Sequence, residues 1–224
     1  AKGLNRFHMK KEVFSTFPGK DRLRNYMIND LVEDQSGYFW LTTFRGLIRF
    51  HPGKGTILHL DAREGFSSNE MTGICLAGKE EIFLGSLNGL DAFRPADIRR
   101  NTVVPPVVIT GMQIANRPVK KGWNGKHAGI TLSYRDRAFS FYFAALNYDI
   151  PGKNQYAYKM EGFDDNWIDA GNRRMATFTG LPPGKYTFRV KGSNNDGVWN
   201  ETGASVKVVI EPPWWKTSWA YGLY

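Results

Sequence analysis

Beyond residue 106, apolar and polar positions alternate along the chain in short runs. Phe139, Phe141 and Phe143 fall on one side of a strand, and Ser140 and Tyr142 on the other. Tyr156, Tyr158 and Met160 alternate with Ala157 and Lys159, and Tyr186, Phe188 and Val190 with Thr187 and Arg189. Val206, Val208 and Ile210 close the series. A period of two marks strands with one buried face, and Gly, Pro and Asn turns at short spacing join them. The pattern predicts an antiparallel β-sandwich over 107–213. No long amphipathic helix is visible.

The first part of the chain repeats itself. Gly3-Leu4-Asn5-Arg6-Phe7, Gly46-Leu47-Ile48-Arg49-Phe50 and Gly89-Leu90-Asp91-Ala92-Phe93 stand 43 residues apart. Between these anchors, Tyr38-Phe39-Trp40-Leu41-Thr42-Thr43 aligns with Glu81-Ile82-Phe83-Leu84-Gly85-Ser86. One period reads as four strands, over 27–33, 39–43, 47–50 and 57–60. Asp34-Gln35-Ser36-Gly37, Phe44-Arg45-Gly46 and Pro52-Gly53-Lys54-Gly55 separate them as turns. Four short strands in a period in the low forties describe a β-propeller blade. Residues 1–98 therefore read as a partial propeller of about two blades. Because a ring needs about 4–8 blades, the chain is expected to be a piece of something larger. Residues 99–106 read as a linker, held extended by Val103-Val104-Pro105-Pro106. The fold class is all-β: last blades of a β-propeller, then an immunoglobulin/fibronectin-like β-sandwich. Leu181-Pro182-Pro183-Gly184-Lys185-Tyr186 supports the second part, since a leucine, a Pro-Gly turn and a tyrosine opening a strand mark a tyrosine corner.

Both parts lead to one family. Glu33-Asp34, Gly37, Trp40, Thr43, Gly46, Leu47 and Phe50 resemble the two-component regulator propeller repeat, with Phe83 and Ser86 departing from it in the next copy. The sandwich resembles the tyrosine-rich, immunoglobulin-like Y_Y_Y domain. Its marks are the run from Tyr156 to Asp164, Trp167, the turn from Leu181 to Tyr186, the run from Asn195 to Trp199, and Pro212-Pro213-Trp214-Trp215-Lys216-Thr217. The resemblance implies the extracytoplasmic sensor region of a hybrid two-component system. In that setting a transmembrane helix and a histidine kinase follow the sandwich, oligosaccharides are the sensed ligands, and the sensor is a homodimer through the sandwich. It places the chain on the periplasmic side of the inner membrane and implies no catalysis within the fragment. Gly46, Leu47, Phe50, Trp40, Leu181 and Tyr186 take structural roles, and Trp214, Trp215 and Trp219 a membrane-proximal signal link.

Composition changes this picture little. With 224 residues, 42% hydrophobic and 14% aromatic, the chain can bury a sizeable core. A net charge of +9 favours anionic partners. The cations are scattered, however, most densely over residues 1–24, and read as solvated strand faces. Nucleic acid is not expected as a partner, because no basic groove with interleaved aromatics is evident. The single Cys75 excludes an intrachain disulfide and, within Ile74-Cys75-Leu76, reads as a small core residue. No apolar signal segment opens the chain, and no apolar run reaches the roughly 18 residues of a membrane span.

Candidate chemistry is sparse. His8, His51, His59 and His127 lack metal-ligand spacing, and no cofactor motif is present. Asp164-Asp165 reads as a turn, since a glycosidase pair needs two opposed carboxyl groups. Asn194-Asn195-Asp196-Gly197 lacks the spaced acids of a calcium loop. The aromatic segment 214–224, with Trp214, Trp215, Trp219, Tyr221 and Tyr224, fits a bilayer interface or signal link. Packing beneath the sandwich and stacking on a sugar are its other possible roles. A secreted polysaccharide-binding or polysaccharide-degrading propeller with an accessory sandwich is the competing function.

Overall fold

The structure is a computed structural model that describes residues 4–17, 23, 25–78, 80–119, 129–213 and 215. It divides into two compact units, Ala1–Arg100 and Asn101–Tyr224. In the first unit, β1 (Asn5–His8) and β2 (Val13–Thr16) form a hairpin. Then β3 (Ile28–Glu33), β4 (Phe39–Thr43), β5 (Gly46–His51) and β6 (Thr56–Leu60) form a four-stranded antiparallel sheet. A three-stranded sheet follows, made of β7 (Met71–Ala77), β8 (Glu81–Ser86) and β9 (Gly89–Phe93). Strands β5 and β9 open on Gly46-Leu47 and Gly89-Leu90, and β1 holds Asn5, Arg6 and Phe7 of the first copy.

Sheet stacking explains the burial. Trp40, Leu47 and Leu60 of the four-stranded sheet share one apolar cluster with Met71, Ile74, Ile82 and Leu84 of the next. The other face of the same sheet buries Leu41, Ile48 and Phe50 with Leu23. Strands β4 and β5 are thus covered on both faces and lose the polar alternation of a half-buried strand. The β3–β4 turn is fixed from within. The Asp34 carboxylate is buried and accepts the Ser36 and Tyr38 amides at 2.8 and 3.1 Å and the Trp40 indole N–H at 2.8 Å. A buried carboxylate is tolerated only when bonded this fully.

Cys75 departs from the reading of a core residue, because it is exposed. A register shift between Met71 and Gly73 lets both Met71 and Ile74 be buried, and Cys75, next to Ile74 on the strand, takes the opposite face.

The second unit packs two sheets face to face. One holds β10 (Val107–Ile114), β11 (Arg117–Pro118), β13 (Ala138–Ala145) and β16 (Met175–Thr179). The other holds β12 (Ile130–Ser133), β14 (Tyr156–Glu161), β15 (Ile168–Gly171), β17 (Gly184–Ser193) and β18 (Trp199–Glu211). Their inner faces meet through Phe139, Phe141, Phe143, Tyr156, Phe188, Val206, Val208 and Ile210 among others. Phe141 and Phe188 stack across the two sheets, with ring centroids 4.4 Å apart and planes 14° from parallel. Tyr186 donates its hydroxyl to the Pro182 carbonyl at 2.9 Å, closing the corner before β17, and its ring and Leu181 pack against the core.

Two details differ from the simple antiparallel pattern. Strand β12 pairs in parallel with β18, Ile130 opposite Val208. These strands lie far apart in sequence, so no short connection forces them to run in opposite directions. Ser140, read as an outward position, is buried and bonds Thr177 across the strands at 2.9 Å.

One contrast makes the packing testable. Gly46 sits at φ 114°, where a Cβ would fall 2.2 Å from the Leu60 carbonyl oxygen. Its repeat counterpart Gly89, at φ 141°, would meet nothing within 4 Å. Both alanine variants carry backbone strain, but only the first adds a collision. Gly46→Ala is expected to lower unfolding stability by about 1–3 kcal/mol more than Gly89→Ala in urea melts. Equal losses would contradict this account.

Candidate functional sites on the two units

On the first unit, Arg49 of β5 is the most unusual charged side chain. Its neighbours Ile48 and Phe50 are fully buried, and its guanidinium stacks 4.0 Å above the Tyr38 ring and 5.3 Å from that of Trp40. One amino group donates to the Ile98 carbonyl at 3.3 Å. Arg49 lines a cavity of about 430 Å³ together with Asp34, Glu80, Arg94 and Asp97. Charges of both signs face that cavity. Its volume lies within the range of small-molecule pockets.

Hydroxyl groups on this unit could suggest nucleophilic chemistry, but their surroundings do not supply it. His8 Nε2 lies 2.9 Å from Ser15 Oγ across the β1–β2 hairpin. No carboxylate contact to orient the imidazole is seen among the described residues, so the third member of a triad is missing there. Ser67 Oγ bonds Asp91 at 2.8 Å and Ser86 Oγ at 2.8 Å, with no imidazole in the cluster. The His8–Ser15 pair escaped sequence reading. The hairpin register, which brings Ser15 opposite Arg6, is the signal that could have revealed it.

The second unit concentrates polar side chains where its first residues meet its loops. Asn194, almost fully buried, donates to the Asn101 and Val103 carbonyls at 2.7 and 2.9 Å. Its carbonyl oxygen accepts the Asp196 and Val198 amides, both at 2.9 Å. The Asn101 amide group reaches Asn147, Asp149 and Asn195, and the Asn101 backbone N–H donates to Asp196. Asn154, fully buried, accepts from Asn147 at 2.9 Å. Asn200 fixes the Pro105 carbonyl at 2.9 Å. Segment 101–105 is thereby tied to the sandwich. The loop read as a plain turn, Asn194-Asn195-Asp196-Gly197, is the centre of that tie. Asp164 likewise holds a turn, accepting the Met160 amide at 2.7 Å.

A second cluster lies on the outer face of the larger sheet. The Lys191 ammonium stands 4.9 Å from the Trp167 ring, 5.4 Å from that of Trp199, and 2.8 Å from Glu201. Beside it, Glu161 contacts Arg189 at 3.1 Å and Lys159 at 3.3 Å. Donation from Arg189, supported by Lys159, holds the Glu161 carboxyl below its ordinary value of 4.5. Among the described residues, no group of three or more His, Cys, Asp and Glu side chains could hold a metal ion.

Of the aromatic segment, Trp214 and Trp219 lie outside the described residues. Trp215 is 42% exposed, and its ring lies 5.4 Å from that of Tyr134. No described helix is long and apolar enough to cross a membrane.

Residues 147–211 match the Y_Y_Y domain. That range holds β14 to β18, the tyrosine corner and most of the asparagine network. Over 209 residues the chain is 31% identical to histidine kinase P4 of Formosa agariphila, covering 88% of this chain and 15% of that protein. The crystal structure of the extracellular domain of the hybrid two-component system BT3049 from B. thetaiotaomicron superposes with a TM-score of 0.79. Its sequence identity is 26%, covering 94% of this chain and 30% of that one. The chain thus spans less than a third of either protein. These likenesses support its reading as a sensor region of a hybrid two-component system, all-β, with propeller blades followed by a sandwich.

Two outcomes follow from the second unit. Asn194→Ala leaves up to four backbone groups without their partner, at about 1–3 kcal/mol for each one kept from water. Hydrogen exchange at the Asp196 and Val198 amides is expected to accelerate, with little change in β13. For Glu161, a carboxyl held below its unfolded value adds stability above that value and loses it as pH falls through the folded one. Glu161→Gln should therefore lower the urea midpoint at neutral pH, by a difference that shrinks as pH falls below 4.5. A midpoint difference independent of pH would show that the ion pair is not its source.

Proposed function

We propose that this chain is part of the extracytoplasmic sensor region of a hybrid two-component histidine kinase, and that it carries carbohydrate sensing towards a transmembrane helix. The observation that carries the reading is the order of parts. Repeat blades lead into a Y_Y_Y domain, and a histidine kinase matches along 88% of the chain. That the related solved structure is an extracellular domain supports a location outside the cytoplasm. The kinase chemistry belongs to the parent protein, and ligand reaches the propeller.

In this reading the sandwich is a rigid coupling element. The asparagine network supports that role, because it makes the residues entering the sandwich part of its body. Signalling then needs two arrangements of the parent dimer with different ligand affinities, since a ligand of equal affinity for both shifts nothing. The dimer forms through the sandwich, and the aromatic segment after Pro213 lies near the membrane.

The coding sequence beyond Tyr224 is expected to contain an apolar span of about 20 residues followed by a kinase module. The intact protein should change its autophosphorylation in membranes when one member of an oligosaccharide panel is added. Absence of both the span and the kinase would overturn the reading.

A further inference from the structure

We propose that a small cationic cavity beside Arg49 binds an oxyanion group: a sulfate, a phosphate or a carboxylate. The cavity has a volume of about 220 Å³. Tyr38, Arg49, Lys54, Thr56 and Arg100 contribute its polar lining, with no carboxylate among the lining residues. The larger cavity on the same unit shares Arg49 with it, but Asp34, Glu80 and Asp97, which would repel an anion, line only that larger one.

Arg49 is the anchor. Its Nε is buried and has no hydrogen-bond partner. One amino group is engaged by the Ile98 carbonyl, and no acidic partner to Arg49 is seen among the described residues. The guanidinium therefore keeps an unused N–H edge on a charge that is partly removed from water. Such an edge matches the two oxygens of a carboxylate, sulfate or phosphate. Burying it unpaired costs free energy that a bound oxyanion would return.

The surroundings hold this geometry. Tyr38 is fixed between the Arg49 guanidinium at 4.0 Å and the His51 ring, whose centroid is 4.9 Å away at 90°. His51 Nδ1 in turn accepts the Gly53 and Lys54 amides, both at 3.2 Å, which sets the turn that carries Lys54. Lys54 and Arg100 are exposed cations, and the residues lining the cavity include no carboxylate. The Thr56 and Tyr38 hydroxyls supply neutral donors.

The repeat argues against a purely architectural reason for these cations. In the next copy the places of Tyr38, Arg49 and Lys54 hold Glu81, Ala92 and Asp97. In the first copy Arg6 and Lys11 stand at the places of Arg49 and Lys54, and both are exposed. A blade strand of this kind forms without a half-buried arginine. The cavity is also smaller than the roughly 300–1,000 Å³ of a drug-sized ligand pocket, which suits one anionic substituent or a free ion.

The test is a calorimetric titration of the full chain at constant ionic strength, with chloride as the background. The probes are sodium sulfate, sodium phosphate, a dextran sulfate oligosaccharide and the matching unsulfated dextran oligosaccharide. Binding of the inorganic ions as tightly as the sulfated saccharide identifies a free-anion site. Tighter binding of the sulfated saccharide, with none of the unsulfated one, identifies an anionic substituent on a glycan. Either result supports the proposal. Arg49→Gln, Lys54→Gln and Arg100→Gln are each expected to weaken binding about tenfold, the size of one lost charge-assisted bond. Lys54 and Arg100 are exposed, so their variants keep the fold readable should Arg49→Gln destabilise it. Arg94→Gln, which alters only the other cavity, should leave affinity unchanged. No sulfate, phosphate or dextran sulfate binding above the chloride background would overturn the proposal. Equal weakening by Arg94→Gln would do the same.

Discussion

Each of the four larger described sheets has an apolar face that it cannot cover by itself, and burying that face against another sheet is the constraint on which the rest depends. In the first unit the four-stranded sheet presents Trp40, Leu47 and Leu60 to its successor, which answers with Met71, Ile74, Ile82 and Leu84. A repeat unit of this kind gains stability only by stacking. In the second unit two sheets cover each other as one sandwich, whose core is the aromatic stack around Phe141 and Phe188. Asp34 and Asn194 enter these interiors with their hydrogen-bonding groups engaged, whereas the buried Arg49 Nε has no partner.

The two units solve the problem of loops differently. The blade fixes its β3–β4 turn with one carboxylate that gathers two amides and an indole N–H. The sandwich fixes its entry with amide side chains, which donate and accept at once. Asn194 can therefore hold carbonyls of segment 101–103 and amides of its own loop together. An aspartate there could not donate to the carbonyls. This accounts for an asparagine at the buried centre of the tie.

Much of the fold was legible in the sequence because both periods are strong. The 43-residue spacing of Gly3, Gly46 and Gly89 marks the strands that carry the anchor, and alternation marks the sandwich strands. The failures came where the pattern was short or the partner distant. Cys75 sits in an apolar run, but a strand buries alternate positions, and Ile74 took the inner one. The parallel pairing of β12 with β18 joins residues some eighty positions apart, and no local signal encodes it. The candidate sites were the least legible. Arg49 looks like one scattered cation until the fold stacks it on Tyr38. The asparagine loop looks like a turn until residues nearly a hundred positions away close on it.

Cys75 has a practical side. It is the sole thiol of the chain and stands exposed on β7, next to the buried Ile74. A fluorophore or spin label can be attached there without removing another cysteine or introducing one. The dye would report from a strand whose inner face packs against the neighbouring sheet. The chain thus carries its own attachment point for spectroscopy, on the unit built from repeats.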